Sequence, residues 1–287
     1  MIQPTAPTTT AISQIPITRR VVVDDGVELV ASSWGQGAPL LLVHGFGGAK
    51  EDFADHVTDL AQRFQVVTFD LRGHGESDKP ANLSAYSLER LRADTVAVAD
   101  AFGFDQFVLL GHSMGGMVVR RIPLDHPDRV TALVMMDTSA GPLPGMDLDI
   151  VELAVGVAVN EGKDALKALL DFAAPFETPS HRRLVERHPD YQAFCDRKWD
   201  NVSEIMWAAL ARELANQPDD LDEMRSLTIP VLVMIGETDA AFLDASDAMC
   251  EAIPTARKAV IADAGHSPQF ENPEVWYGEL AGFLASL

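Results

Sequence analysis

One short stretch constrains this chain more than any other. Gly111-His112-Ser113-Met114-Gly115 has the form G-x-S-x-G. It stands between an apolar run, Gln106-Phe107-Val108-Leu109-Leu110, and a helix-like stretch opening at Gly116-Met117-Val118-Val119-Arg120. A serine on so sharp a strand-to-helix turn is held in a strained backbone conformation, with its hydroxyl pushed out over the sheet edge. The flanking glycines are needed because a Cβ there would clash as the chain doubles back. The stretch marks Ser113 as a nucleophile and predicts that its helpers lie in other strand-end loops.

The rest of the chain reads as strands alternating with helices. Arg20-Val21-Val22-Val23 and Val27-Glu28-Leu29-Val30-Ala31 form a hairpin around Asp24-Asp25-Gly26. Leu40-Leu41-Leu42-Val43 is continuously apolar, as a strand covered on both faces must be. Further strands are expected at Gln65–Phe69, Ala132–Met136, Pro230–Ile235 and Lys258–Ile261. Helices are expected at Asp52–Phe64, at Ser87–Phe102 with Ser87 as N-cap, from Met114, and at Pro273–Leu284. Arg90 stands where a capping box would need Glu. This alternation implies an α/β fold, a mostly parallel sheet with helices on both faces. From Gly141 to Leu227 the pattern is helical without a strand and reads as an inserted cap. The core is thus expected at 19–140 and 228–287, with a flexible arm at 1–18.

A serine hydroxyl is a weak nucleophile at neutral pH and needs a base, which in turn needs an orienting group. In a parallel sheet, ligands sit beyond the carboxyl ends of the strands. The last strand is followed by Asp263-Ala264-Gly265-His266-Ser267-Pro268, which nominates His266 as the base. The strand before it ends in Gly236-Glu237-Thr238-Asp239, which nominates Asp239 as the acceptor for His266. The order Ser…Asp…His is the one this elbow requires. Asp137, at the end of the preceding strand, is the alternative acid.

From about Val21 to its C-terminus the chain resembles an α/β-hydrolase. His44-Gly45-Phe46-Gly47-Gly48, Asp70-Leu71-Arg72-Gly73-His74-Gly75-Glu76-Ser77, the serine elbow, Gly236–Asp239 and Gly265-His266 match that family in order. The resemblance implies an oxyanion hole formed by the backbone amides of Phe46 and Met114. It also implies that His44 and His74 shape their loops rather than do chemistry.

Other residues read more plainly. His112 is expected to point away from the nucleophile, and His56, His126, His181 and His188 to lie on the surface. Asp70 and Asp78 are expected to hold the Arg72–Gly75 loop by accepting from amides. Phe172, Phe176, Tyr191, Phe194, Trp199, Met206 and Trp207 are expected mostly to pack the cap onto the core, with one or two facing an apolar pocket. Cys195 and Cys250 lack metal or redox spacing and read as inert thiols of a reducing cytoplasm. No His/Cys/Asp cluster has metal spacing, and the glycines at 45, 47 and 48 are no dinucleotide fingerprint. The net charge of −21 disfavours nucleic acid and anionic membrane as partners. No apolar run has the length of a membrane span, and the first ten residues lack the pattern of a signal peptide.

The expected activity is hydrolysis of a carboxylic ester through an acyl-enzyme, with no cofactor and a small, partly apolar substrate. Cleavage of a C–C bond in a vinylogous diketone is the alternative, set back because Gly47-Gly48-Ala49-Lys50 stands where those enzymes often have Gly-Pro. A lactonase, an acyltransferase or a cofactor-free perhydrolase would use the same triad, and a non-catalytic ligand receptor is the rival from another class. A homo-oligomer is left open. Haloalkane or epoxide chemistry is disfavoured because it needs a carboxylate where Ser113 stands.

Overall fold

The computed structural model describes residues 15–145, 147–173 and 178–287. Eight strands form one sheet: β1 (Ile17–Val22), β2 (Glu28–Trp34), β3 (Ala38–Val43), β4 (Phe64–Phe69), β5 (Phe107–His112), β6 (Val130–Met136), β7 (Val231–Gly236) and β8 (Ala256–Ile261). Their order across the sheet is β1-β2-β4-β3-β5-β6-β7-β8. β1 pairs antiparallel with β2, and β2 with β4. Every pairing from β4 to β8 is parallel.

The period of two along each strand builds two cores, one per face. Leu41, Val43 and Leu109 look to one side and pack with Leu91, Val98, Met117 and Met249. These come from the helices Leu88–Ala101, Met114–Val119 and Leu243–Ala252. Leu40, Leu42, Val108 and Leu110 look to the other side and pack with Phe53, Val57, Trp276 and Phe283. There the cover is the helices Ala54–Leu60 and Pro273–Leu284. A strand buried on both faces has no polar position to spare, which is why β3, β5 and β7 read as unbroken apolar runs.

The helix starts follow local chemistry. Ser87 Oγ accepts from the Arg90 amide, and Asn272 Oδ1 from the Val275 amide. The stretch expected as one helix over Asp52–Phe64 is instead a 3₁₀ turn, Lys50–Phe53, and the shorter helix Ala54–Leu60. β4 already begins at Phe64, so the helix must end early enough for the chain to turn back into the sheet. β1 begins at Ile17, so the last two residues assigned to the arm pair with β2.

Between β6 and β7 the described residues form six helices: Leu148–Glu161, Lys163–Ala173, Pro179–Arg187, Asp190–Asp200, Glu204–Asn216 and the short Leu221–Met224. Val151, Val155, Leu166, Trp207 and Ala211 form a small core of their own. Met206, Leu210 and Leu214 belong to the main core, so the helix Glu204–Asn216 anchors this layer. Arg120, buried just after the serine elbow, donates to Asp220 Oδ2 at 3.0 Å and to Gln217 Oε1 at 2.9 Å. That contact ties the elbow helix to the end of the helical layer.

Candidate active site

Ser113 has φ +54° and ψ −121°, a conformation that L-residues rarely adopt. Its surroundings hold it there. Its N–H donates to Met136 O at 2.8 Å, and its own carbonyl accepts from Thr138 Oγ1 at 2.7 Å. The two motif glycines are sterically required. A Cβ on Gly111 would lie 2.4 Å from Gly115 O, and one on Gly115 would lie 2.4 Å from Val43 O. The serine side chain is thereby lifted to the carboxyl end of β5, at the floor of a cavity.

Two other strand ends meet it. His266 follows β8, and its Nε2 lies 3.0 Å from Ser113 Oγ. Its Nδ1 lies 2.8 Å from Asp239 Oδ2, three residues past the end of β7. The three nominated residues therefore sit in hydrogen-bonding sequence, though 153 residues separate Ser113 from His266. With the ring proton on Nδ1 and donated to Asp239, Nε2 accepts from the serine hydroxyl. Such an array can activate a hydroxyl toward an acyl carbon. Phe242 stacks on the His266 ring at 5.1 Å and restrains its plane.

The loop between β3 and the first turn comes close. A Cβ on Gly45 would lie 3.0 Å from Ser113 Cβ. His74 Nε2 accepts from the Gly47 amide at 3.1 Å, and His44 Nε2 accepts from the Leu71 amide at 3.0 Å. Both rings are buried, and burial pushes both below the ordinary histidine value, His74 to about 3. They act as neutral braces between two loops. Asp70 accepts from the amides of Lys50 and Glu76, while Asp78 Oδ2 accepts from the Glu28 amide of β2. Phe46 and Met114 both line the cavity. Met114 opens its helix, where first-turn N–H groups have no acceptor within the helix.

Several expectations need correction. His112 does not point away: it lines the cavity, donates from Nε2 to His266 O at 2.7 Å and is driven to about 3 by burial. It holds the His266 loop, a role that its place inside the serine motif does not reveal. His56 is buried rather than on the surface, 2.9 Å from Gln269 O and packed on Trp276. Among the cap residues singled out, none of the described ones lines this cavity, and Phe172 is 90% exposed. Phe176 lies outside the described residues. The apolar wall comes instead from Phe46, Met114, Met117, Leu143, Leu214 and Phe270, and the cavity measures about 140 Å³. At its rim Lys198 donates to Asp52 Oδ1 at 2.8 Å, a pairing across 146 residues that no local pattern announces.

Two more acidic groups, Asp137 and Glu271, stand close to the histidine and Asp239. One oxygen each from Asp137 and Asp239 and one nitrogen of His266 lie within 4.8 Å of one another, among the described residues the one group with metal-donor chemistry. A cation there would have to displace the Nδ1 proton that His266 donates to Asp239. Asp137 is fully buried, and burial, followed by the charge of Asp239, pushes its carboxyl well above the usual range. Glu271 is buried too, accepts from the Gly265 amide, and is raised chiefly by burial.

Residues 38–273 match the model of the α/β-hydrolase fold family, and the chain belongs to that family. It is 29% identical to 2-hydroxymuconate semialdehyde hydrolase of Pseudomonas putida over 285 residues, covering 96% of this chain and 97% of that one. Among solved structures it is similar to the enol-lactonase of Burkholderia xenovorans LB400, with TM-score 0.82, 25% identity, and 93% and 100% of the two chains covered. It is also similar to a thermophilic esterase of Thermogutta terrifontis, with TM-score 0.81, 27% identity, and 94% and 98% covered. The relatives are hydrolases that share this fold along nearly the whole chain, and hydrolysis is the chemistry they support here.

Proposed function

We propose that this protein is a serine hydrolase of small carboxylic esters, open-chain or cyclic. The observation that carries the reading is the run of contacts from Ser113 Oγ to His266 Nε2 at 3.0 Å and from His266 Nδ1 to Asp239 Oδ2 at 2.8 Å. Ser113 attacks the ester carbonyl while His266 takes the hydroxyl proton. The amides of Phe46 and Met114 receive the negative oxygen of the tetrahedral intermediate, each donor lowering the barrier by about 3 kcal/mol. His266 returns the proton to the leaving alkoxide, then draws a proton from the water that hydrolyses the acyl-enzyme. Asp239 keeps the ring in register and offsets the imidazolium charge. A cavity of about 140 Å³ favours a short acyl chain, since pockets for drug-sized ligands run from about 300 Å³ upward.

The test is a panel of p-nitrophenyl esters, lactones and vinylogous diketones offered to the wild type and to Ser113→Ala. Short esters or lactones should turn over, and Ser113→Ala should lose roughly 10⁴- to 10⁶-fold. A fluorophosphonate should label Ser113 and label a His266→Ala variant far more slowly. Turnover of diketones alone would replace the ester reading with C–C hydrolysis, and no turnover anywhere would favour a ligand receptor.

A further inference from the structure

Asp137 is buried beside the site, and the mechanism above leaves it without a task. It follows β6 with φ +46°, a left-handed conformation that Asp and Asn tolerate better than most residues. Its N–H continues the β6–β7 ladder by donating to Met234 O at 3.0 Å. Its Oδ1 accepts from the Gly236 amide at 2.9 Å. Its Oδ2 is out of contact with solvent and receives no hydrogen bond from any donor among the described residues. The Asp239 carboxyl lies within 4.8 Å, already holding His266.

An ionised Asp137 would set a second negative charge beside Asp239 and leave one oxygen unsolvated in the interior. Two buried carboxyls in one site do not readily both ionise, so one of them keeps a proton. Asp239 accepts from the His266 Nδ1–H, so its ionised form is the better stabilised of the two. The proton then belongs on Asp137, and on Oδ2, because Oδ1 already accepts from Gly236. A hydroxyl at Oδ2 would also turn the stranded acceptor into a donor with a carboxylate in reach.

We infer that Asp137 is a carboxylic acid that keeps its proton at neutral pH and donates it as a hydrogen bond to Asp239. It is a positioning residue that acts on His266 through Asp239. By drawing charge from the Asp239 carboxylate it weakens the pull of that carboxylate on the His266 Nδ1–H. The other titratable groups facing this cluster are Glu271, which is also buried, and His112, whose ring lies 5.2 Å from that of His266. The inference rests on the assignment of His266 as the base only for its consequence in catalysis. Its tests need no substrate, so it can fail while the hydrolase reading stands, and the reverse also holds.

Two variants and two measurements decide it. Asn at this position keeps a neutral group that accepts from Gly236 and donates to Asp239, whereas Leu keeps the bulk and loses both. The His266 imidazole is titrated by nitrogen-detected NMR, its resonance assigned by its loss in His266→Gln. Asp137→Asn should leave the His266 pKa within about 0.5 unit of wild type, and Asp137→Leu should raise it by about 1 unit. Infrared difference spectra of wild type minus Asp137→Asn at pH 7 should contain the carbonyl stretch of a protonated carboxyl, which stands even if the Leu variant does not fold. A drop of about 1 unit or more in Asp137→Asn would mean that an ionised carboxylate had been removed, and would overturn the inference. So would any other shift beyond the half-unit window, an unmoved pKa in a folded Asp137→Leu, or an infrared spectrum without the protonated band.

Discussion

Ser113, His266 and Asp239 can be named as a set because each stands in the loop that follows a strand, where a parallel sheet gathers its chemistry. Asp239 and Asp137 occupy equivalent places after neighbouring strands, and only the contact at 2.8 Å makes Asp239 the partner of His266. If Asp239 orients His266, Asp239→Asn should lower kcat on a short ester by about 10⁴-fold while leaving substrate binding nearly intact, as seen in kcat and KM measured separately. A loss below about tenfold would move the orienting role elsewhere. The place of His112 in the cavity is not legible in the sequence. A motif marks the backbone turn it needs, and the side chain of its variable position is aimed by the loop that packs against it. For His112 that loop belongs to His266, 154 residues on.

At the scale of the element, the elbow and the closing helix make opposite demands on glycine. Gly115 sits where β3 passes the turn, and an added Cβ would meet the carbonyl oxygens of Val43 and His44 at 2.4 and 2.6 Å. Backbone cannot yield there without opening the sheet, so Gly115→Ala should cost about 3 kcal/mol or more and lower the urea midpoint accordingly. Gly278 lies inside the helix Pro273–Leu284 with nothing within 4 Å of an added Cβ. Gly278→Ala should therefore stabilise the protein by about 0.5–1 kcal/mol, because alanine loses less backbone entropy. Similar effects for the two variants would show that the turn is not sterically tight. The strands and the closing helix were legible because their periodicity is set by burial. The helix Ala54–Leu60 came out shorter than its pattern, since β4 claims Phe64 for the sheet.

For the molecule as a whole, the braces between loops carry a cost in acid. His74 is ordinarily a base of pKa 6.5 but is driven to about 3 by burial. Below pH 6.5 the unfolded chain takes up a proton that folded His74 refuses. The stability from neutral His74 is thus fully present above pH 6.5 and is lost as pH falls toward about 3. His74→Gln removes this one titration. The stability gap between wild type and variant should narrow by about 1.4 kcal/mol per pH unit between pH 6 and 4, as read from urea melts. Parallel stability curves would mean that His74 takes its proton while folded.

By itself the sequence determined the strand order along the chain, the sharp turn at Ser113 and the loops from which its partners come. All three follow from local causes: unbroken apolar runs, glycines that a turn requires, and polar residues at strand ends. The tertiary structure alone decided which acid meets His266, that His112 secures the loop of its neighbour, and that the cavity is walled by Met117, Leu143 and Phe270 rather than by the cap aromatics. These depend on residues far apart in the chain coming within a few ångströms, and that proximity is a property of the packed sheet and its covering helices, not of any segment.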